Sequence, residues 1–98
     1  MRLTYPPEAE AELLEAVQFY ERRVAGLGAS FLREFESAIS AIEEAPERWQ
    51  LMEGGLRRFL MHRFPYGIYY RVEGEELRIL VVKHHRRHPD YWKHRLNQ

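Results

Sequence analysis

Apolar residues recur at helical spacing through the first half of the chain. Leu13, Ala16, Val17, Tyr20 and Val24 fall at i, i+3, i+4, i+7 and i+11, one stripe of a helix. Before them, Arg2 to Tyr5 reads as a short strand. Pro6-Pro7 stops it, and Pro7 suits a first helical turn because its missing N–H has no partner there anyway. Glu8, Glu10 and Glu12 favour the positive end of the helix dipole. Glu8, Glu12 and Glu15 cluster opposite the apolar stripe, which predicts an ordinary solvated acidic face. Gly26-Leu27-Gly28 ends this helix. A second follows, with Phe31, Phe35, Ala38, Ile39 and Ile42 on one stripe, and Pro46 marks its end. A connection this short predicts a helical hairpin. Tyr20, Phe31 and Phe35 are read as core.

The period then shortens to two. Leu56 to Phe64 alternates, with Leu56, Arg58, Leu60 and His62 on one parity and Arg57, Phe59, Met61 and Arg63 on the other. Tyr66 to Val72 is aromatic and β-branched, Glu73-Gly74 is a hairpin turn, and Leu77 to His84 is a strand apolar on both faces near its middle. Tyr69 and Tyr70 point to opposite faces. Between the two halves, Glu47 to Gly55 reads as a loop with Trp49 and Leu51 anchored on the core. Pro89 to Leu96 reads as a short C-terminal helix. The whole is an α+β fold: an N-terminal strand, then a helical hairpin packed on a three- to four-stranded antiparallel sheet. The pattern leaves the other sheet face partly open, where basic side chains can gather.

Composition sharpens this in three ways. At 98 residues the chain is expected to be a single domain, 1–98, and 45% hydrophobic residues give it a real core. Zero cysteines exclude a disulfide scaffold, a thiolate zinc site and thiol catalysis. No apolar run nears the ~20 residues of a membrane helix, and Met1 leads into Arg2-Leu3-Thr4 and not an apolar leader, so a cytoplasmic location is expected. The net charge of zero conceals a split. Residues 1–53 carry 5 basic and 11 acidic side chains, whereas residues 54–98 carry 10 basic and 4 acidic, with all 5 histidines.

The densest chemistry lies in Lys83 to Arg95, where 5 of 13 residues are Lys or Arg, 4 are His and 2 are aromatic. Arginine grips phosphate with two parallel bonds, histidine moves protons near neutrality, and Tyr and Trp offer stacking faces. The segment therefore reads either as a nucleic-acid-facing surface or as a solvated basic terminus that pairs with acidic helices. Arg57, Arg58 and Arg63 form a second basic group, but alternation sends Arg58 to the opposite face from the other two. His84 and His88 have metal-ligand spacing only on a helix, which Pro89 opposes; no metal site and no cofactor is implied.

The ordered set Tyr20…Gly26-Leu27-Gly28…Phe31-Leu32, Pro46, Leu56-Arg57-Arg58-Phe59, Phe64-Pro65-Tyr66-Gly67-Ile68-Tyr69-Tyr70-Arg71-Val72 and the His84-to-Trp92 tail resembles the ParE/RelE toxin superfamily, the "plasmid stabilisation" toxins of type II toxin–antitoxin modules. The resemblance covers nearly the whole chain. It implies a growth-arresting toxin neutralised by a cognate antitoxin, with the oligomeric state set by that complex. Two activities occur in the superfamily: ParE-like members inhibit DNA gyrase without hydrolysis, and RelE-like members cleave mRNA on the ribosome. On the nuclease reading, the resemblance implies a catalytic role for Arg86 and, for the C-terminal tyrosine, for Tyr91 or Trp92, while Arg63 or Arg71 would stand in for a missing arginine and His84 and His85 would supply an acid/base pair. Arg57, Arg58, Arg71, Arg87 and Trp92 would then contact nucleic acid or another target. Gly67 occupies the position of a RelE-like phosphate-contacting arginine, which tilts the expectation towards ParE-like binding. Convergence of Arg63, His84 and Arg86 on one anion-sized concavity would favour the nuclease, and splaying would favour binding. A third reading keeps only antitoxin binding. The antitoxin is expected in an apolar groove beside the hairpin or along a sheet edge.

Overall fold

The computed structural model describes residues 1–97. Strand β1 (Arg2–Thr4) leads into helix α1 (Pro7–Arg23) and helix α2 (Leu27–Glu44). Strands β2 (Gln50–Leu51), β3 (Arg57–Leu60), β4 (Tyr66–Glu73) and β5 (Glu76–His84) follow, and a 3-10 turn over Lys93–Asn97 closes the described chain. The sheet order is β1-β5-β4-β3-β2. The α+β fold matches expectation, with two refinements. The sheet has five strands and is mixed, because β1 runs parallel to β5, Leu3 opposite Leu77. The segment read as a loop contains β2, where Gln50 pairs with Arg58. Leu51 is 62% exposed and so anchors nothing, whereas Trp49 packs on Phe59 at 4.5 Å.

The hairpin turn is built by an acidic side chain. Gly26 takes φ +89°, and no side chain at that position caps α2. Glu21 reaches across from α1 instead, and its carboxylate accepts the N–H groups of Gly26 and Gly28 at 2.9–3.0 Å. Gly28 also lets the helices close. A Cβ there would meet the Val17 carbonyl oxygen at 2.6 Å.

The hairpin covers one sheet face. Phe31, Phe35, Ala38, Ile39 and Ile42 from α2 pack on Phe59, Met61, Phe64, Ile68, Tyr70, Leu77, Ile79 and Val82. Tyr20, Phe31, Phe64 and Tyr66 form an aromatic cluster with centroids 4.8–6.2 Å apart. The expected α1 stripe packs on the core through Leu13, Ala16, Val17 and Tyr20, and it is wider than expected, since Ala9 and Glu12 are buried too. Val24 alone departs from it, past the helix end at 59% exposure.

The second face is closed as well, which corrects the expectation of a partly open sheet. A bulge in β5 makes this closure apolar. Tyr69 pairs with Val81 but Tyr70 pairs with Ile79, so Leu80 is the extra residue. Leu80 and Val81 therefore both face away from the hairpin, and with Leu56, Tyr69 and Trp92 they form a second buried cluster. The chain after β5 folds back as a strap over this cluster. The expected C-terminal helix is this strap, with turns through residues 89–92 before the 3-10 segment.

Candidate functional site

One buried carboxylate holds the strap to the body. Glu12, expected in solvent, is only 8% exposed. Its Oε1 accepts the Val82 N–H at 3.0 Å and an Arg95 N–H at 2.8 Å, while Oε2 accepts a second Arg95 N–H at 3.1 Å and the Tyr91 hydroxyl. Arg87 adds a contact at 3.4 Å. Arg95 also donates to the Leu80 carbonyl at 3.0 Å. The reason lies at the sheet edge. β1 pairs β5 only as far as Arg78, so the outward-facing groups of Leu80 and Val82 lack a strand partner. Glu12 takes the donor and Arg95 takes the acceptor, and the paired side chains stand in for the missing strand. Burial and the bond to Glu12 push the Tyr91 hydroxyl well above its usual pKa, so it remains a donor.

The basic turn that follows β5 is shaped by its own residues. The Arg86 N–H donates to His84 Nδ1 at 3.0 Å, which leaves Nε2 as the protonated nitrogen of the neutral ring. Lys83 is 7% exposed and donates to the carbonyls of His84 and His85 at 3.2 and 3.4 Å. Burial lowers the Lys83 pKa, and Arg58 and Arg87 lower it further. Burial likewise lowers both histidines, helped by His85, Arg86 and Lys83 at His84 and by Lys83 and Arg58 at His85. This end of the sheet is thus a cluster of cations that disfavour one another. His85, Arg86, Arg87 and His88 are exposed on it.

The residues singled out in the sequence do not assemble into one centre. Arg63 lies over α2, where its backbone N–H bonds Glu34 at 2.9 Å and its side chain approaches the same carboxylate at 3.9 Å. His84 lies across the sheet, edge-on to Tyr66 at 5.1 Å. It lines a cleft against α1, whereas Arg63 lines a separate hollow on α2. Tyr91 is committed to Glu12. Trp92, expected on a target-binding surface, is 2% exposed and packs on Tyr69 at 5.2 Å, so it is core. Three of the expected contact arginines serve the scaffold. Arg57 donates to the Trp49 carbonyl at 2.8 Å, Arg58 bonds Gln50, and Arg71 pairs with Glu73 at 2.6 Å and bonds the Leu96 carbonyl at 3.2 Å. Arg87 lies at 3.7 Å over the Tyr91 ring. Among the described residues no group of three or more His, Asp or Glu side chains is placed to hold a metal ion, and no helix is long and apolar enough to cross a membrane.

Sequence reasoning missed Glu12 and Arg95. One signal was available: Glu12 shares the i, i+4 face of Ala16 as well as that of Glu8. Its partner, however, is 83 positions away.

The architecture is thus a helical hairpin on a small mixed sheet whose last long strand ends in an exposed basic turn. The chain belongs to the ParE toxin family of type II toxin–antitoxin systems, parDE, whose model matches residues 3–89. The strap beyond residue 89 lies outside that match. Among solved structures, a chain from the chromosomal ParDE toxin–antitoxin system of P. aeruginosa shares the fold, with a TM-score of 0.68 and 19% identity over 86% of this chain and 95% of that one. No curated protein matches the chain.

Proposed function

We propose that the chain, as one toxin domain over residues 1–98, arrests bacterial growth in the cytoplasm by binding DNA gyrase. It does so without breaking a bond itself, and a cognate antitoxin neutralises it. The observation that carries the non-hydrolytic reading is the separation of Arg63 from His84, with Tyr91 withdrawn onto Glu12. In-line phosphodiester cleavage needs donors converging on one phosphorus, and these groups do not converge. The exposed turn of His85, Arg86, Arg87 and His88 supplies a rigid basic contact for the target. An apolar groove of about 170 Å³ between β1 and the hairpin, lined by Leu3, Tyr5, Leu13, Leu32, Phe35 and Ile39, suits an apolar antitoxin segment.

The test is a supercoiling assay with purified gyrase, run beside an mRNA cleavage assay on ribosomes. Loss of gyrase activity that is relieved in Arg86→Ala supports the reading. Ribosomal mRNA cleavage abolished by Arg86→Ala and His84→Ala would replace it with the nuclease. Growth arrest in neither form would leave antitoxin binding alone.

A further inference from the structure

A cleft of about 310 Å³ opens where the second half of α1 leaves the unpaired edge of β5. Its walls include Gln18, Phe19 and Arg22 from α1, Tyr66 and His84 from the sheet, and Arg87 from the basic turn. The volume falls at the lower end of small-molecule sites, about 300–1,000 Å³. From these walls we infer that the cleft binds a phosphorylated small molecule the size of one nucleotide. This inference rests on neither the gyrase nor the antitoxin reading.

Three observations support it. First, the wall donors are free. Arg22, Gln18, the Tyr66 hydroxyl and His84 Nε2 have no hydrogen-bond partner among the described residues, and Arg87 spends only one N–H, on Glu12. Two guanidinium forks and three neutral donors match the several acceptor oxygens of a phosphate better than a single carboxylate. Burial raises the Tyr66 pKa to about 12, so the hydroxyl stays a donor at neutral pH. Secondly, the acidic residues of the wall do not cancel this. Glu12 is saturated by Arg95, Tyr91 and Val82, and Glu15 is exposed and can turn to solvent. Arg22 and Arg87 then leave a net positive site. Thirdly, the wall offers aromatic surface. Phe19 is 41% exposed, with the Arg23 guanidinium over one face of its ring at 4.6 Å, and Tyr66 lies across the cleft. A flat base stacks on such a ring whatever its identity.

The full-length protein is titrated at low salt with AMP, adenosine and inorganic phosphate, following backbone amide shifts and calorimetric heat. AMP is expected to bind with Kd on the order of 0.1–1 mM and to shift residues near Phe19, Tyr66 and His84. Adenosine and phosphate are each expected to bind about tenfold more weakly or worse. Arg22→Ala, an exposed last-turn substitution, is expected to weaken AMP about tenfold, and Phe19→Ala to weaken AMP while leaving phosphate unchanged. No saturable shift by about 10 mM AMP, shifts centred away from the cleft, or binding indifferent to Arg22→Ala would overturn the site. Phosphate binding as tightly as AMP, with Phe19→Ala silent, would overturn its nucleotide character.

Discussion

The two faces of the sheet are closed by different physics. The hairpin face is sealed by two amphipathic helices and a continuous apolar layer in which Phe31, Ile42, Ile68, Leu77 and Ile79 have no exposure. The strap face is sealed by a short segment around Trp92 whose position depends on a buried ion pair. The first closure draws on area removed from water and tolerates small changes of shape. The second draws on geometry. Glu12, Arg95 and the open edge of β5 must meet together, and each partner is costly if left alone. Buried nitrogens without an acceptor occur on both sides among the described residues, Trp92 Nε1 and Arg95 Nε under the strap and Trp49 Nε1 in the hairpin-side core, so the ion pair alone sets the faces apart. A domain whose total stability is about 5–15 kcal/mol therefore has one robust face and one conditional face.

The largest expected effect tests that contrast directly. Glu12→Ala strands Arg95 and should cost about 3–5 kcal/mol in denaturant unfolding, with the strap freed first as protease cleavage within residues 88–97. The double variant Glu12→Met, Arg95→Met should recover much of that loss, because two apolar side chains need no counter-charge. If the hairpin and strap melted together in Glu12→Ala, the two faces would be one cooperative unit and the contrast would fail. A smaller change on the other face should behave as simple packing: Ile68→Val is expected to cost about 0.5–1.5 kcal/mol with the strap still protected.

Acid sharpens the comparison from the side of the basic turn. The folded pKa values of His84 and His85 lie below the ordinary 6.5, so the unfolded chain binds more protons between those values and 6.5. Stability should therefore rise with pH through that window, and fall as pH drops from 6.5 into it. Melting temperatures across this range should lose part of their slope in His84→Gln, His85→Gln. The smallest effect is expected at Arg63. It is exposed and 3.9 Å from Glu34, so Arg63→Ala should change stability by no more than about 0–1 kcal/mol. A larger loss would mean that the Glu34 contacts to the turn after β3 matter more than exposed pairs usually do.

The helices and the three main strands were legible because they rest on local spacing. Phe31, Phe35, Ala38, Ile39 and Ile42 recur at the helical period, and each is buried. The nearly continuous apolar run Ile79-Leu80-Val81-Val82 announced a strand buried on both sides, though not the bulge that lets Leu80 and Val81 share a face. The candidate site was harder to read. Arg86 and Arg87 lie on an exposed turn after β5, whereas Trp92 looked like a stacking residue and is core. Glu12 looked solvated because its neighbours at helical spacing are also glutamates.

Sequence alone therefore determined the two helices and the main strands, though not β2 or the strap, and that charge divides between the two halves of the chain. The tertiary structure decided where that charge goes. The acidic half and the basic half do not simply form a soluble back and a working front, since Glu12 and Arg95 meet across 83 positions to close a sheet edge. The physical reason is range. A periodic pattern is set by neighbours within a turn or two, but the burial of a charge depends on a partner, and on an unpaired strand edge, that only the folded chain brings within reach.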